Sequence, residues 1–130
     1  MGGKALTMGK RALVLFAHGA RDPRWAEPFQ RLQALVQTQS PDLTVALAFL
    51  ELMSPRLPAL AAELIAAGST DVTVVPVFLG QGGHVMRDLP VIVDELKLNY
   101  PDVSFKIAGA VGEDAEVLNA MAQYCLSALG

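Results

Sequence analysis

The chain has 130 residues and a formal net charge of −3, with 52% hydrophobic and 18% charged residues. That length and composition describe one globular domain with a single core, and the negative balance argues against non-specific nucleic-acid binding, which needs a basic face. The single cysteine, Cys125, excludes an intrachain disulfide and any multi-cysteine metal site, and reads as a core thiol on the last helix.

Residues 1–10 read as a loose tail ahead of one α/β domain over 11–130. The apolar run 12–17 is too short for a signal core, and no stretch approaches the roughly 20 apolar residues of a membrane span. A cytoplasmic chain with neither membrane nor nucleic-acid partners is therefore expected. The first buried strand is RALVLFA, 11–17. Trp25, Phe29, Leu32, Leu35 and Val36 then recur at helical spacing, predicting a helix over 24–39 that ends at Ser40-Pro41-Asp42. A second strand follows over 43–50. Ser54 is placed to cap the next helix, with Pro55 in its first turn and Gly68 closing it. The third strand, 71–79, contains Pro76, which marks either the strand's end or a bulge. Gly80, Gly82 and Gly83 make a loop before a helix over 85–99. Pro101-Asp102 turns the chain into a short strand, 103–108, and Glu113 and Asp114 open a final helix over 113–128. Leu13, Val14, Val74, Val75, Phe78 and Leu79 are core candidates.

Strands alternating with helices predict a parallel sheet with helices on both faces. Right-handed crossovers make a four-stranded, flavodoxin-like order 2-1-3-4 the simplest choice. That order brings three strand ends together, and each carries a chemically useful side chain. His18 follows the first strand, Glu51 follows the second and His84 lies in the glycine loop after the third. Open α/β sheets bind ligands at this carboxyl edge, where the strand order reverses. Either histidine alone reads as well as a loop hydrogen-bonder, and Glu51 equally as a cap of the next helix. The loop 80–83 lacks the GK[ST] ending of a P-loop and full GxGxxG spacing, so it fits close approach of a flat ligand better than nucleotide binding. Arg21, Arg24, Arg56 and Arg87 lie nearby. They suit carboxylate binding or plain salt bridges, such as Arg21 with Asp22 or Arg87 with Asp88.

The segments AHGARDPRW (17–25) and VPVFLGQGGHVMRDLP (75–90), with FLEL (49–52) between them, resemble the signatures of the short CbiX-type sirohydrochlorin chelatases of the class II chelatase family. The resemblance runs from about 11 to 128. Ala20 departs from it, standing where serine is expected in HGSRD. What the resemblance implies is a chelatase-like half-domain working as a homodimer, since larger relatives hold two such halves in one chain. It implies that His18 and His84 bind the metal and accept pyrrole protons, with Glu51 assisting. Arg21, Arg24, Arg87, Gly82 and Gly83 would then meet sirohydrochlorin, a substrate with several carboxylates. The divalent metal, Co²⁺ first and Ni²⁺ or Fe²⁺ after it, is a substrate, and no permanently bound cofactor is expected.

The chemistry suits these residue types. Insertion of M²⁺ displaces two N–H protons, and neutral imidazole, with a reference pKa near 6.5, serves as base or ligand at neutral pH. Three other readings compete with this one. A histidine phosphatase would need an arginine where Ala17 stands. A non-catalytic metal or tetrapyrrole carrier differs from an enzyme only in turnover. A purely structural α/β domain leaves the paired signatures unexplained.

Overall fold

In the computed structural model, the residues described are 10–80 and 83–130, with the backbone alone for 83–85. The expected tail thus lies almost wholly outside the described residues, as do Gln81 and Gly82. The apolar run near the N-terminus forms β1 (Lys10–Ala17) at the centre of the sheet. It pairs in parallel with β2 (Thr44–Phe49) on one side and β3 (Ser69–Pro76) on the other, and β3 pairs with β4 (Ser104–Ile107). The order is β2-β1-β3-β4, as expected from right-handed crossovers.

Alternate residues of the strands face opposite layers. Ala12, Val14, Phe16, Ala48, Val72, Val74 and Phe105 share one core with the helices α2 (Leu57–Ala66) and α3 (Gly83–Asn99). Leu57, Leu60, Ala61 and Leu64 supply α2's buried stripe, and Leu89, Val93 and Leu96 supply that of α3. On the other face, α1 (Glu27–Gln39) lies over β2 and β1, and a smaller cluster of Ala17, Ala26 and Phe49 packs with Trp25, Phe29, Leu47 and Met53. Gln33 and Gln37 of α1 also hydrogen-bond the backbone of Val45, which occupies main-chain groups of the edge strand that would otherwise be open to pairing.

Several sequence expectations are corrected. The helix expected from residue 24 begins instead as a 3₁₀ turn, Pro23–Ala26, capped by Asp22, before α1 takes over at Glu27. Leu35 falls off the half-buried face of α1 and is 59% exposed. Ser54 does not cap α2, because the loop after β2 returns far enough for the Phe49 N–H to donate to the Pro55 carbonyl, and the cap position passes to Arg56 with Pro58 in the first turn. Strand β3 stops at Pro76, which lacks an N–H to continue the ladder, so Leu79 is exposed on the loop beyond it rather than in the core. The final helix, α4 (Ala115–Ser127), is capped by the Asp114 carboxylate, follows a 3₁₀ turn at Val111–Glu113, and has no buried residue. Cys125 upon it is exposed, not a core thiol.

Candidate functional site

The ladder between β1 and β2 does not end with the strands. Leu50 N–H donates to the Ala17 carbonyl at 2.9 Å, and Glu51 N–H donates to the His18 carbonyl at 3.1 Å. These bonds carry His18 and Glu51 past the carboxyl edge of the sheet side by side. Their close approach depends on Gly19, which adopts φ +103° and is so tight against the Glu51 carbonyl that a Cβ there would sit 1.8 Å from its oxygen. Beyond Glu51, Leu52 takes φ +68°, a left-handed conformation that is costly for a branched side chain. Strain is thus held next to the residues that line the edge.

The outcome is a defined pair. His18 Nε2 lies 3.2 Å from Glu51 Oε2, with the two side chains 42% and 46% exposed. Two first-row metal ligands at about 2.1 Å and roughly 100° to one another are separated by about this distance. The same contact fits a hydrogen bond in which Nε2–H donates to the carboxylate and fixes the tautomer and orientation of the ring.

Two clefts flank the pair. On the α1 side, His18 borders a cleft of about 320 Å³ walled by Trp25, Phe29, Val77, Phe78, Leu79 and Val111. Its lining is apolar apart from the imidazole. Trp25 packs on Phe29 and Phe49 with ring centroids 4.6 and 6.3 Å apart, which holds the aromatic wall rigid. On the α2–α3 side, Glu51 borders a second cleft of about 570 Å³ that also receives Arg56, Asp88, Val91 and Ile92.

The remaining expected residues distribute unevenly. Gly83 is the first residue of α3 and His84 the second, so the histidine opens a helix whose next turns border the Glu51 cleft. The side chain of His84, like the whole of Gly82, lies outside the described residues. Arg87 stands exposed on the same helix, and Arg21 is exposed on the loop after β1. Arg24 is already engaged: its Nη2 donates to Asp22 Oδ2 at 2.8 Å and its Nε contacts both carboxylate oxygens. That contact holds the Asp22 carboxyl below, and the Arg24 guanidinium above, its ordinary range. The salt bridge expected between Arg21 and Asp22 therefore belongs to Arg24. Among the described residues, Arg21, Arg56 and Arg87 are in no ion pair. No group of three or more His, Cys, Asp or Glu side chains is gathered for a metal among them either, so any third ligand must come from elsewhere.

Sequence reasoning did not assign the aromatic wall. Trp25 and Phe29 read as a helix stripe and Phe78 and Leu79 as core, because periodicity records burial but not which cleft a half-buried ring lines. Arg56 was visible only as a nearby cation, since its place in the Glu51 cleft depends on the returning loop 50–56.

The CbiX family model matches residues 12–128. A sirohydrochlorin cobaltochelatase from Priestia megaterium is 28% identical over 108 residues, 83% of this chain and 35% of that protein. Among solved structures, a CbiX protein named for cobalamin (vitamin B12) biosynthesis from Marinobacter aquaeolei VT8 is 28% identical with a TM-score of 0.81, covering 92% of this chain and 97% of that one. The fold is also that of the sirohydrochlorin chelatase SirB from Bacillus subtilis subspecies spizizenii, solved in complex with cobalt, at 22% identity and TM-score 0.78 over 91% of this chain and 50% of that one. This chain spans about a third of the Priestia protein and half of SirB. With the match running from β1 through α4 and the expected sheet order in place, the chain belongs to the CbiX family.

Proposed function

We propose that this chain inserts a divalent metal, Co²⁺ in the first instance and Ni²⁺ or Fe²⁺ as alternatives, into sirohydrochlorin with release of two protons. The observation that carries this reading is the His18–Glu51 pair, 3.2 Å apart at the sheet edge beside an aromatic and aliphatic wall. An imidazole and a carboxylate at that spacing suit a first-row divalent ion, and the absence of thiolate ligands suits an ion that must be handed on. The wall of Trp25, Phe29, Phe78 and Leu79 suits the face of a macrocycle. The names of the relatives point to the same substrate and to cobalt.

In this reading His18 and His84 hold the incoming metal and take the pyrrole protons, with Glu51 orienting His18 or sharing the ion. Arg21 and Arg87 meet substrate carboxylates. Arg24 does so only by exchanging Asp22 for the substrate, and Arg56 is added as a cation facing the Glu51 cleft. Gly82 and Gly83, the second of which opens α3, meet the macrocycle. The metal is a substrate, and no permanently bound cofactor is required.

A tetrapyrrole is broad, and one four-stranded domain offers it a single wall, so the working unit is a homodimer. Among the described residues no helix is long and apolar enough to cross a membrane. A cytoplasmic setting fits the exposed Cys125 thiol, which a reducing compartment preserves.

The test is an anaerobic absorbance assay of sirohydrochlorin with each metal at substoichiometric protein. Several turnovers above a protein-free control are expected. A spectral change that halts at one equivalent would identify a carrier instead.

A further inference from the structure

Among the described glycines, an added Cβ would strike backbone at two positions, Gly19 and Gly112, and both lie at the carboxyl edge of the sheet. Gly19 joins the loops after β1 and β2. Gly112 does the same for the other half of the edge, joining the loops after β3 and β4. Ala108 N–H first extends the β3–β4 ladder to the Val74 carbonyl at 2.9 Å. The chain then turns through Val111–Glu113, and Gly112 N–H donates to the Phe78 carbonyl at 3.0 Å. Gly112 is buried in this contact. A Cβ there would lie 1.9 Å from the Leu79 carbonyl oxygen and 2.3 Å from the Leu79 Cα. Its φ is not in the left-handed region, so what the position demands is close approach, not a special backbone conformation.

The residues that Gly112 touches belong to the site. Phe78 and Leu79 lie beyond the end of β3, and they wall the cleft that His18 borders. Val111, the residue before the glycine, lines the same cleft. Leu79 is 59% exposed, so burial does not hold its side chain. Its place is set by its backbone, and that backbone is held from two sides. Val77 N–H donates to the Phe16 carbonyl of β1 at 2.8 Å, and the Gly112 contact closes the opposite side. A wall on a loop keeps a fixed distance from a catalytic group only when its supports are rigid.

We propose that Gly112 is a positioning residue for metal insertion: by leaving the space of a Cβ to the Leu79 backbone, it fixes the distance between the Phe78–Leu79 wall and His18, and so the place at which a macrocycle on that wall meets the metal. This inference rests on the chelatase reading for the reaction. It goes beyond that reading by assigning control of the geometry to a residue with no side chain, on the strand farthest from Glu51. Gly112→Ala leaves every apolar side chain of the cleft present, so the wall is displaced and not removed. The Cβ falls roughly 1.5 Å short of ordinary non-bonded contact with the Leu79 oxygen. A shift of that size between groups that must act together acts on the chemical step more than on binding.

The test is steady-state metal insertion into sirohydrochlorin by the full chain, together with the fluorescence of Trp25, the single tryptophan, which shares the cleft with the wall. Gly112→Ala is expected to lower kcat on the order of 100-fold while KM changes less than about 3-fold. Its ligand-free Trp25 emission should move to longer wavelength as the cleft opens, with the circular dichroism spectrum unchanged. Gly109→Ala, in the same loop with nothing within 4 Å of its Cβ, should match wild type in every readout. Should Gly112→Ala not fold, Val111→Gly loosens the same turn without adding an atom. Compared with Val111→Ala, which removes nearly the same side chain, it should have a kcat lower by about 3-fold. A fall in Tm with wild-type kcat and Trp25 emission would make Gly112 a structural residue only and overturn the proposal. A raised KM at unchanged kcat, or equal kcat in the two Val111 variants, would overturn it as well. If wild type itself gave no turnover, the chelatase reading would fall, and the ligand-free Trp25 emission of Gly112→Ala would still decide whether this glycine holds the wall, an unchanged spectrum counting against it.

Discussion

Replacing Gly19 by alanine probes the construction of the site more directly than replacing either functional side chain. The new Cβ would lie 1.8 Å from the Glu51 carbonyl oxygen, roughly 1.5 Å short of ordinary non-bonded contact. The obstacle is backbone, so it cannot swing aside as a side chain would. Alanine at φ +103° adds conformational strain of about 1–2 kcal/mol. Moving the Glu51 backbone away also loosens the Glu51 N–H to His18 carbonyl bond, worth about 1 kcal/mol. The expected total is about 3 kcal/mol, a loss of roughly 10 °C in Tm for a domain of this size. The site should suffer more than the fold. A displacement of about 1 Å between groups that must act together costs on the order of 100-fold in rate, and here it separates Glu51 Oε2 from His18 Nε2. The assay is initial-rate metal insertion into sirohydrochlorin alongside thermal melting, with Gly80→Ala as the control because its Cβ would meet nothing within 4 Å. A Gly19→Ala protein with wild-type kcat and Tm would refute the claim that this glycine sets the His18–Glu51 geometry.

Further outcomes follow from the same geometry. Glu51→Gln keeps the shape and removes the charge. It should lower kcat at least about 10-fold while shifting stability by less than about 1 kcal/mol, since the pair is nearly half exposed; a large fall in Tm would mark the pair as structural. His84→Ala should reduce insertion strongly with an unchanged circular dichroism spectrum, and full activity would remove His84 from the mechanism. Arg87→Ala should mainly raise KM, because Arg87 is in no ion pair, whereas Arg24→Ala, whose guanidinium is held by Asp22, should change KM less; the reverse order in steady-state kinetics would assign the substrate to Arg24. Leu52→Gly relieves a left-handed residue that is 55% exposed, so it should leave thermal stability unchanged or raise it by up to about 1 kcal/mol, and marked destabilisation would show that the Leu52 side chain holds the loop.

The sheet order was legible because the buried strands are short continuous apolar runs, and right-handed crossovers between them leave few arrangements. His18 and Glu51 could be paired from sequence for the same reason: each directly follows a strand, and the two strands are neighbours. What pattern did not carry was anything set by a returning loop or a second surface. Ser54 looked like a cap because serine is favoured at that position and proline in the first turn, yet the loop after β2 doubles back to Phe49 and gives the position to Arg56. Cys125 looked buried because α4 is apolar, and α4 is apolar without burying any residue against its own sheet. Periodicity reports that a face is apolar, not what it packs on.

The two flanking clefts also bear on how such a site can release what it binds. A resident metal centre gathers three or four ligands and satisfies them with a second shell. Here the described residues bring together one imidazole and one carboxylate, both exposed by more than a third, with the aromatic cleft opening on the imidazole side and the arginine-bearing cleft on the carboxylate side. On the proposed reading, a divalent ion held by this pair would keep most of its coordination sphere open to water or to incoming nitrogen donors. A macrocycle with four such donors would then add ligands to the metal, and His18 would take up a proton. An added third protein ligand should therefore tighten metal binding and slow turnover. Leu79→His, on the wall of the His18 cleft, offers such a ligand. If it lowered the metal dissociation constant and raised kcat together, release would not be the step that the open site serves.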